Sequence, residues 1–137
     1  MAVVSYLYFE GRCEDAIRFY QQALGAQLMF MMRCKDAPPG PHPIEPGMEE
    51  KVLHASLRIG GTVIGVSDGM CSGRPEFKGF GLTLEVKDKG EAERCFAALA
   101  EGGQVAMPLG ETFFSPSFGM VTDRFGVAWM VMIPQAM

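Results

Sequence analysis

Apolar and polar residues along the chain follow two alternating periods, and the order of those periods predicts the fold. Val3 to Phe9 is a short apolar and aromatic run of the kind that forms a strand, and Glu10-Gly11 breaks it. From Cys13 to Leu24 the apolar positions Ala16, Ile17, Phe19, Tyr20, Ala23 and Leu24 recur at helical spacing, and Gly25 supplies a stop. Strand patterns follow at Gln27 to Cys34, Val52 to Ile59 and Thr62 to Ser67, the last two joined by a Gly60-Gly61 turn. The order is βαβββ.

The order then repeats. Gly81 to Val86 reads as a strand, Gly90 to Glu101 as a helix closed by Gly102-Gly103, and Gln104 to Met107, Phe118 to Thr122 and Val127 to Ile133 as strands. Ala16, Arg18 and Tyr20 align with Ala92, Arg94 and Phe96 at one constant offset, and Gly61 and Gly126 punctuate corresponding hairpins. The chain is therefore expected to be one α+β domain of two tandem modules, residues 1–67 and 80–137, joined by a linker at 68–79. A second irregular stretch, Lys35 to Lys51, is too rich in proline for a turn; it reads as a mobile loop, a lid or a dimer-contact arm.

Composition narrows the function. A chain of 137 residues with 48% hydrophobic residues can bury one core. The formal net charge of -4, with scattered Lys and Arg, gives nothing to neutralise phosphates, so nucleic acid is not an expected partner. No apolar run approaches the roughly 20 residues that span a bilayer, and no basic stretch leads into an apolar one at the N-terminus. The expectation is no membrane partner and a cytoplasmic location. Cys13, Cys34, Cys71 and Cys95 are far apart and without zinc-finger spacing, which predicts reduced thiols. Eleven methionines read first as core filler and second as an adaptable apolar pocket wall.

Several segments together resemble one family. They are Tyr6-Leu7-Tyr8-Phe9-Glu10-Gly11, the helix segment Glu14 to Tyr20 with Leu24-Gly25, His54 to Gly61, Ser67-Asp68, Glu111-Thr112-Phe113-Phe114, and Val121 to Trp129. Their order along paired βαβββ modules is similar to the vicinal oxygen chelate superfamily, which includes glyoxalase I, extradiol dioxygenases and bleomycin-resistance proteins, and within it to the PhnB-like branch. The resemblance implies a cup-shaped curved sheet with the helices outside, and a homodimer. Some PhnB-like proteins carry a label as demethylubiquinone methyltransferases, which implies a nucleotide-type cofactor. Gly79-Phe80-Gly81 lacks the third glycine of a dinucleotide loop and leads into a strand, so no such cofactor is expected.

Metal-using members of the superfamily draw ligands from the first and last strand of each module. Alternation along a strand lets the corresponding positions be counted. On the first strands Val4, Tyr6 and Tyr8, and Gly81, Thr83 and Glu85, face away from the helices, and the ligand positions fall on Val4 (or Ser5) and Gly81. On the last strands they fall on Gly65 and Met130. None is a credible ligand for a hard divalent ion. The first functional reading is thus a binding protein that holds a small organic molecule without the standard metal, through Tyr6, Tyr8, His54, Ser56, Arg58, Glu85 and Met130.

The alternative is a metal-dependent lyase, isomerase or dioxygenase with a relocated divalent metal on His54, Glu85 and Glu111, in which Glu85 or Glu111 moves a proton. Each residue has a plainer reading: His54 as a structural group bonded to backbone or hydroxyl, Glu85 in an ion pair with Arg58 across the sheet, Glu111 as loop surface or cap, Tyr6 and Tyr8 as core, His42 as incidental. No Gly-x-Ser-x-Gly elbow is present, so nucleophilic catalysis is not expected. A third reading makes the chain mainly an assembly module, compatible with either of the others.

Overall fold

The computed structural model describes residues 1–38, 40 and 45–135. His42 and three of the loop prolines, Pro39, Pro41 and Pro43, lie outside them. The chain divides into two compact units, Met1–Pro75 and Glu76–Met137. In the first, β1 (Tyr6–Tyr8), α1 (Cys13–Leu24), β2 (Gln27–Arg33), β3 (Val52–Ile59) and β4 (Thr62–Ser67) build an open sheet of order β1-β4-β3-β2. In the second, β5 (Leu82–Glu85), α2 (Lys89–Ala100), β6 (Gln104–Gly110), β7 (Phe118–Thr122) and β8 (Ala128–Met132) build the order β5-β8-β7-β6. In both, the first strand pairs in parallel with the last and the other pairs are antiparallel.

Each helix covers one face of its sheet, and the sheet's two-residue period decides which side chains it meets. In the first unit Leu7, Ala55, Leu57 and Val66 are buried with Ala16, Ile17 and Tyr20 of α1. Fully burying a leucine or phenylalanine contributes about 1.5–3 kcal/mol, so this face holds most of the unit's stability. The helix stops where Gly25, at φ 67°, turns the N–H groups of the cap back to the carbonyls of Tyr20 and Gln21. In the second unit Trp129 and Val131 are buried in the same way, with Ala92, Phe96 and Leu99 of α2.

The two helices begin differently. The N-terminus of α2 is capped locally, Asp88 accepting from the N–H of Glu91 at 2.8 Å. That of α1 has no local side-chain cap; the buried Asp68, from beyond β4, accepts from the N–H of Cys13 at 2.8 Å and of Val52 at 2.7 Å. Residues after β4 are thereby drawn into the first unit. Glu10, in the left-handed region at φ 51°, takes the N–H groups of Met70 and Ser72 on its carboxylate. In the second unit Asp123 closes the β7–β8 turn, accepting from the N–H of Phe125 and Val127 and from Trp129 Nε1.

Several boundaries differ from the sequence expectation. β1 is shorter than Val3 to Phe9, and Val3 and Val4 are exposed. β2 ends at Arg33, where a 3₁₀ turn over Cys34–Asp36 begins and Asp36 accepts from the Arg33 N–H. β6 runs past Met107 through Pro108 to Gly110. It can, because β6 is an edge strand and one side of its backbone needs no partner. The first methionine reading, core filler, also fails: among the described residues no methionine belongs to the buried core. Met130 and Met132 instead alternate with the buried Trp129 and Val131, on the opposite face.

The stem of the proline-rich loop is held closed. The N–H of Cys34 bonds to the Lys51 carbonyl and that of Lys35 to the Glu49 carbonyl. Arg33 grips Glu14 of α1 with both guanidinium nitrogens, at 3.2 and 2.7 Å, and also donates to the Glu50 carbonyl. Among the described residues no helix is long and apolar enough to cross a membrane.

Candidate functional site

Each sheet leaves its helix-free face uncovered by its helix, and most of the candidate residues stand there. In the first unit one row runs across the sheet through Tyr6, Gly65, Ser56 and Phe30, each aligned with the next. Beside it, Tyr8 aligns with Ser67 and His54 with Met32; on the other side Arg58 aligns with Val63. Tyr6 and Tyr8 are 39% and 54% exposed, so neither is core, contrary to the plain reading of two tyrosines in a strand. Their strand alternates, and Leu7 between them takes the buried side.

The row is knitted together by rings and hydroxyls. Tyr6 and His54 stack with centroids 5.6 Å apart, and the Tyr6 hydroxyl and His54 Nδ1 share a hydrogen bond of 2.9 Å. Ser56 Oγ lies 3.5 Å from His54 Nε2, so both ring nitrogens face hydroxyls. Tyr8 and Phe30 flank the pair, with centroids 5.1 Å from Tyr6 and 6.1 Å from His54. Burial pushes the Tyr6 hydroxyl above its ordinary pKa. A site of this kind offers flat apolar surfaces beside paired donors and acceptors.

Gly65 is where this geometry turns. A Cβ built on it would lie 2.7 Å from Tyr6 Cε2 and closer still to Cδ2, so the tyrosine ring rests directly on the glycine. The position counted as a vacant ligand seat is covered by a ring, and a side chain there would displace it.

In the second unit the equivalent row is Thr83, Met130, Met120 and Met107. A cavity of about 220 Å³ opens on this face, lined by Phe80, Ala106, Met120, Ala128 and Met130 together with Gly81, Val121, Thr122 and Trp129. A Cβ on Gly81 would stand 3.3 Å from the Ala128 carbonyl oxygen, a tight but milder contact than that at Gly65. Glu85 is exposed on β5 and Glu111 is exposed just after β6.

The structure therefore groups the candidates differently from the sequence. Tyr6, Tyr8, His54 and Ser56 come together in the first unit, with Arg58 one row away. Met130 joins the second unit's cavity. Glu85 and Arg58 belong to separate sheets, so the expected cross-strand ion pair does not exist. Among the described residues no group of three or more His, Cys, Asp and Glu side chains is placed to hold a metal ion. Residues the sequence did not single out are Phe30, Phe80, Met120 and Ala128. Phe30 reaches the row only because a register shift between Leu28 and Phe30 resets the alternation of β2.

The four cysteines are free. Burial, then the neighbouring Asp68, pushes the Cys13 thiol far up, and burial raises Cys34, Cys71 and Cys95 as well, so none has the lowered pKa of a nucleophilic thiol.

Comparison with known proteins agrees with this architecture. Residues 1–132 match the family described as 3-demethylubiquinone-9 3-methyltransferase. Protein YjdN of Escherichia coli K12 is 39% identical over 96% of this chain and 94% of its own. Protein PA1353 of Pseudomonas aeruginosa superposes with a TM-score of 0.83 at 44% identity, covering 99% of both chains. A PhnB protein from Bacillus cereus, described as a 3-demethylubiquinone-9 3-methyltransferase, superposes at 0.78 and 27% identity over 97% of this chain and 99% of its own. A glyoxylase/bleomycin resistance/dioxygenase domain from Frankia shares the fold, at a TM-score of 0.64 and 17% identity over 97% of this chain and 94% of that one. The chain belongs to the family described as 3-demethylubiquinone-9 3-methyltransferase and is PhnB-like.

Proposed function

We propose that this PhnB-like protein binds a small organic molecule on its helix-free sheet surface without a metal at the superfamily's usual positions. The observation that carries the reading is the Tyr6 ring seated on Gly65 and hydrogen-bonded to His54. That ring fills the space a metal-ligating carboxylate would need, and it turns the strand into a flat platform with polar handles. The other usual positions agree: Val4 and Gly81 carry no donor, and the Met130 thioether is a soft ligand. The residues present do not fit the superfamily's metal.

They do not fit a methyl-donor nucleotide bound at a glycine-rich loop either. Gly79-Phe80-Gly81 enters β5 rather than a helix, and the start of each helix is taken by a carboxyl group of the chain itself, Asp68 at α1 and Asp88 at α2. The methyltransferase activity in the family's description therefore does not enter this reading. The relocated metal set, His54 with Glu85 and Glu111, is not favoured by any geometry, since both nitrogens of His54 face hydroxyls within its own unit.

The reading extends to a cytoplasmic homodimer, which sedimentation of the intact chain tests. The central experiment is calorimetric titration of chelator-treated protein against a library of small aromatic and carbonyl compounds, paired with metal analysis of the untreated protein. Expected are metal well below one equivalent and ligand binding that survives chelation and weakens in Tyr6→Phe and His54→Ala. Stoichiometric metal that disappears in a folded His54→Ala variant, or binding abolished by the chelator, would overturn it.

A further inference from the structure

The helix-free face of the second unit carries a cavity of about 220 Å³. No charged residue lines it, and the only side-chain hydroxyl in its wall belongs to Thr122. Val121, Trp129 and Gly81 complete the lining beside methionine, alanine and phenylalanine. The volume exceeds the roughly 150 Å³ of an enclosed apolar cavity that admits benzene, and here the hollow is half open, with Phe80 51% and Met120 36% exposed. Thioethers at the edge of an aromatic ring make favourable contacts and adapt to its outline, and both Met120 and Met130 stand in this wall. A charged group placed against this wall would lose part of its hydration, and no charged side chain lines the wall to replace it.

We infer that this cavity is a binding site for an uncharged aromatic ring, held by Met120, Met130 and Phe80 with Ala106 and Ala128 leaving the room. The inference rests on the reading of the protein as a small-molecule binder and adds the class of group that the second unit takes. It uses residues of that unit alone. The small side chains set the volume: a larger one at Ala128 or Ala106 would fill the space the ring needs.

The test uses the intact protein labelled with ¹³C at the methionine methyl groups, titrated with toluene and, separately, with benzoate. Toluene should shift the Met120 and Met130 signals saturably and leave that of Met70, which is 86% exposed, in place. Benzoate at the same concentration should do neither. Ala128→Leu should weaken toluene binding by roughly tenfold or more, and Ala106→Leu provides the same test should the first variant not fold. Shifts that grow linearly at every methionine, equal response to benzoate, or unchanged binding in a folded filled variant would overturn the inference. Repeating the titration in His54→Ala separates the two claims. Toluene should still saturate there, so failure of the platform on the first sheet and failure of the cavity give different results.

Discussion

Across the first sheet the helix-free row reads Tyr6, Gly65, Ser56, Phe30; across the second it reads Thr83, Met130, Met120, Met107. The strands occupy the same places and the parallel pair sits at the same edge of each sheet, so backbone pairing is copied while side-chain chemistry is not. In the first row a glycine lets an aromatic ring lie down on the sheet, and the hydroxyls of Tyr6 and Ser56 meet a histidine. In the second a methionine replaces the glycine and a threonine the tyrosine, and space opens instead. Repeated topology fixes where a site can form, and one residue pair per repeat decides whether it is a polar platform or an apolar cavity.

The comparison is broken most severely at the helix starts, where the two units solve one problem by different means. Asp68→Ala removes the acceptor of two buried N–H groups, those of Cys13 and Val52, from a site that is 3% exposed. Leaving buried donors unmet should cost about 2–4 kcal/mol. Asp88→Ala removes one exposed helix cap and should cost about 1 kcal/mol. Urea unfolding of the two variants should therefore show the larger midpoint shift in Asp68→Ala. Equal shifts would mean that the long-range anchor is replaced by water.

A smaller contrast lies at two glycines that are not equivalent in the repeat, Gly65 on β4 and Gly81 just before β5. Gly65→Ala forces a Cβ into the Tyr6 ring, which should cost about 1–3 kcal/mol as overpacking and break the hydrogen bond to His54. Gly81→Ala meets only the Ala128 carbonyl at 3.3 Å and should cost about 1 kcal/mol or less. The His54 ring signals in an NMR spectrum should move in the first variant and stay in the second. Unmoved signals in Gly65→Ala would show that the ring does not need the glycine.

How much of this was legible follows the range of the physics. The span of α1, Cys13–Leu24, came directly from its apolar period and the Gly25 stop, and Tyr6, Leu7 and Tyr8 alternated as a strand requires. Both signals are local. The meaning of Gly65 was not legible as a ring seat, because it depends on which residue of β1 lies beside it across a parallel pairing. Phe30 was hidden by the shifted register of β2, and the run of β6 through Pro108 by its place at a sheet edge, which only the assembled order reveals. Methionine composition suggested core, yet the period-two rule placed Met130 opposite the buried Trp129. Asp68 could be seen as part of a motif, but its anchoring of α1 spans residues distant in sequence.

The finest test concerns the Tyr6 phenol, which has no ionisable counterpart in the aliphatic hydroxyl of Thr83. Burial raises its pKa above the ordinary value near 10.0, so the neutral form is favoured in the folded chain. The stability linked to this group is complete below that ordinary value and is lost as pH rises through the higher folded value, because the unfolded chain ionises first. Tyr6→Phe should remove this alkaline dependence and, at neutral pH, cost about 0.5–1 kcal/mol through the lost hydrogen bond to His54. The difference in phenolate absorbance between wild type and Tyr6→Phe should then titrate above pH 10.0. A difference that titrates at or below that value would show the hydroxyl open to water, and the first row would be a looser platform than its ring stacking indicates.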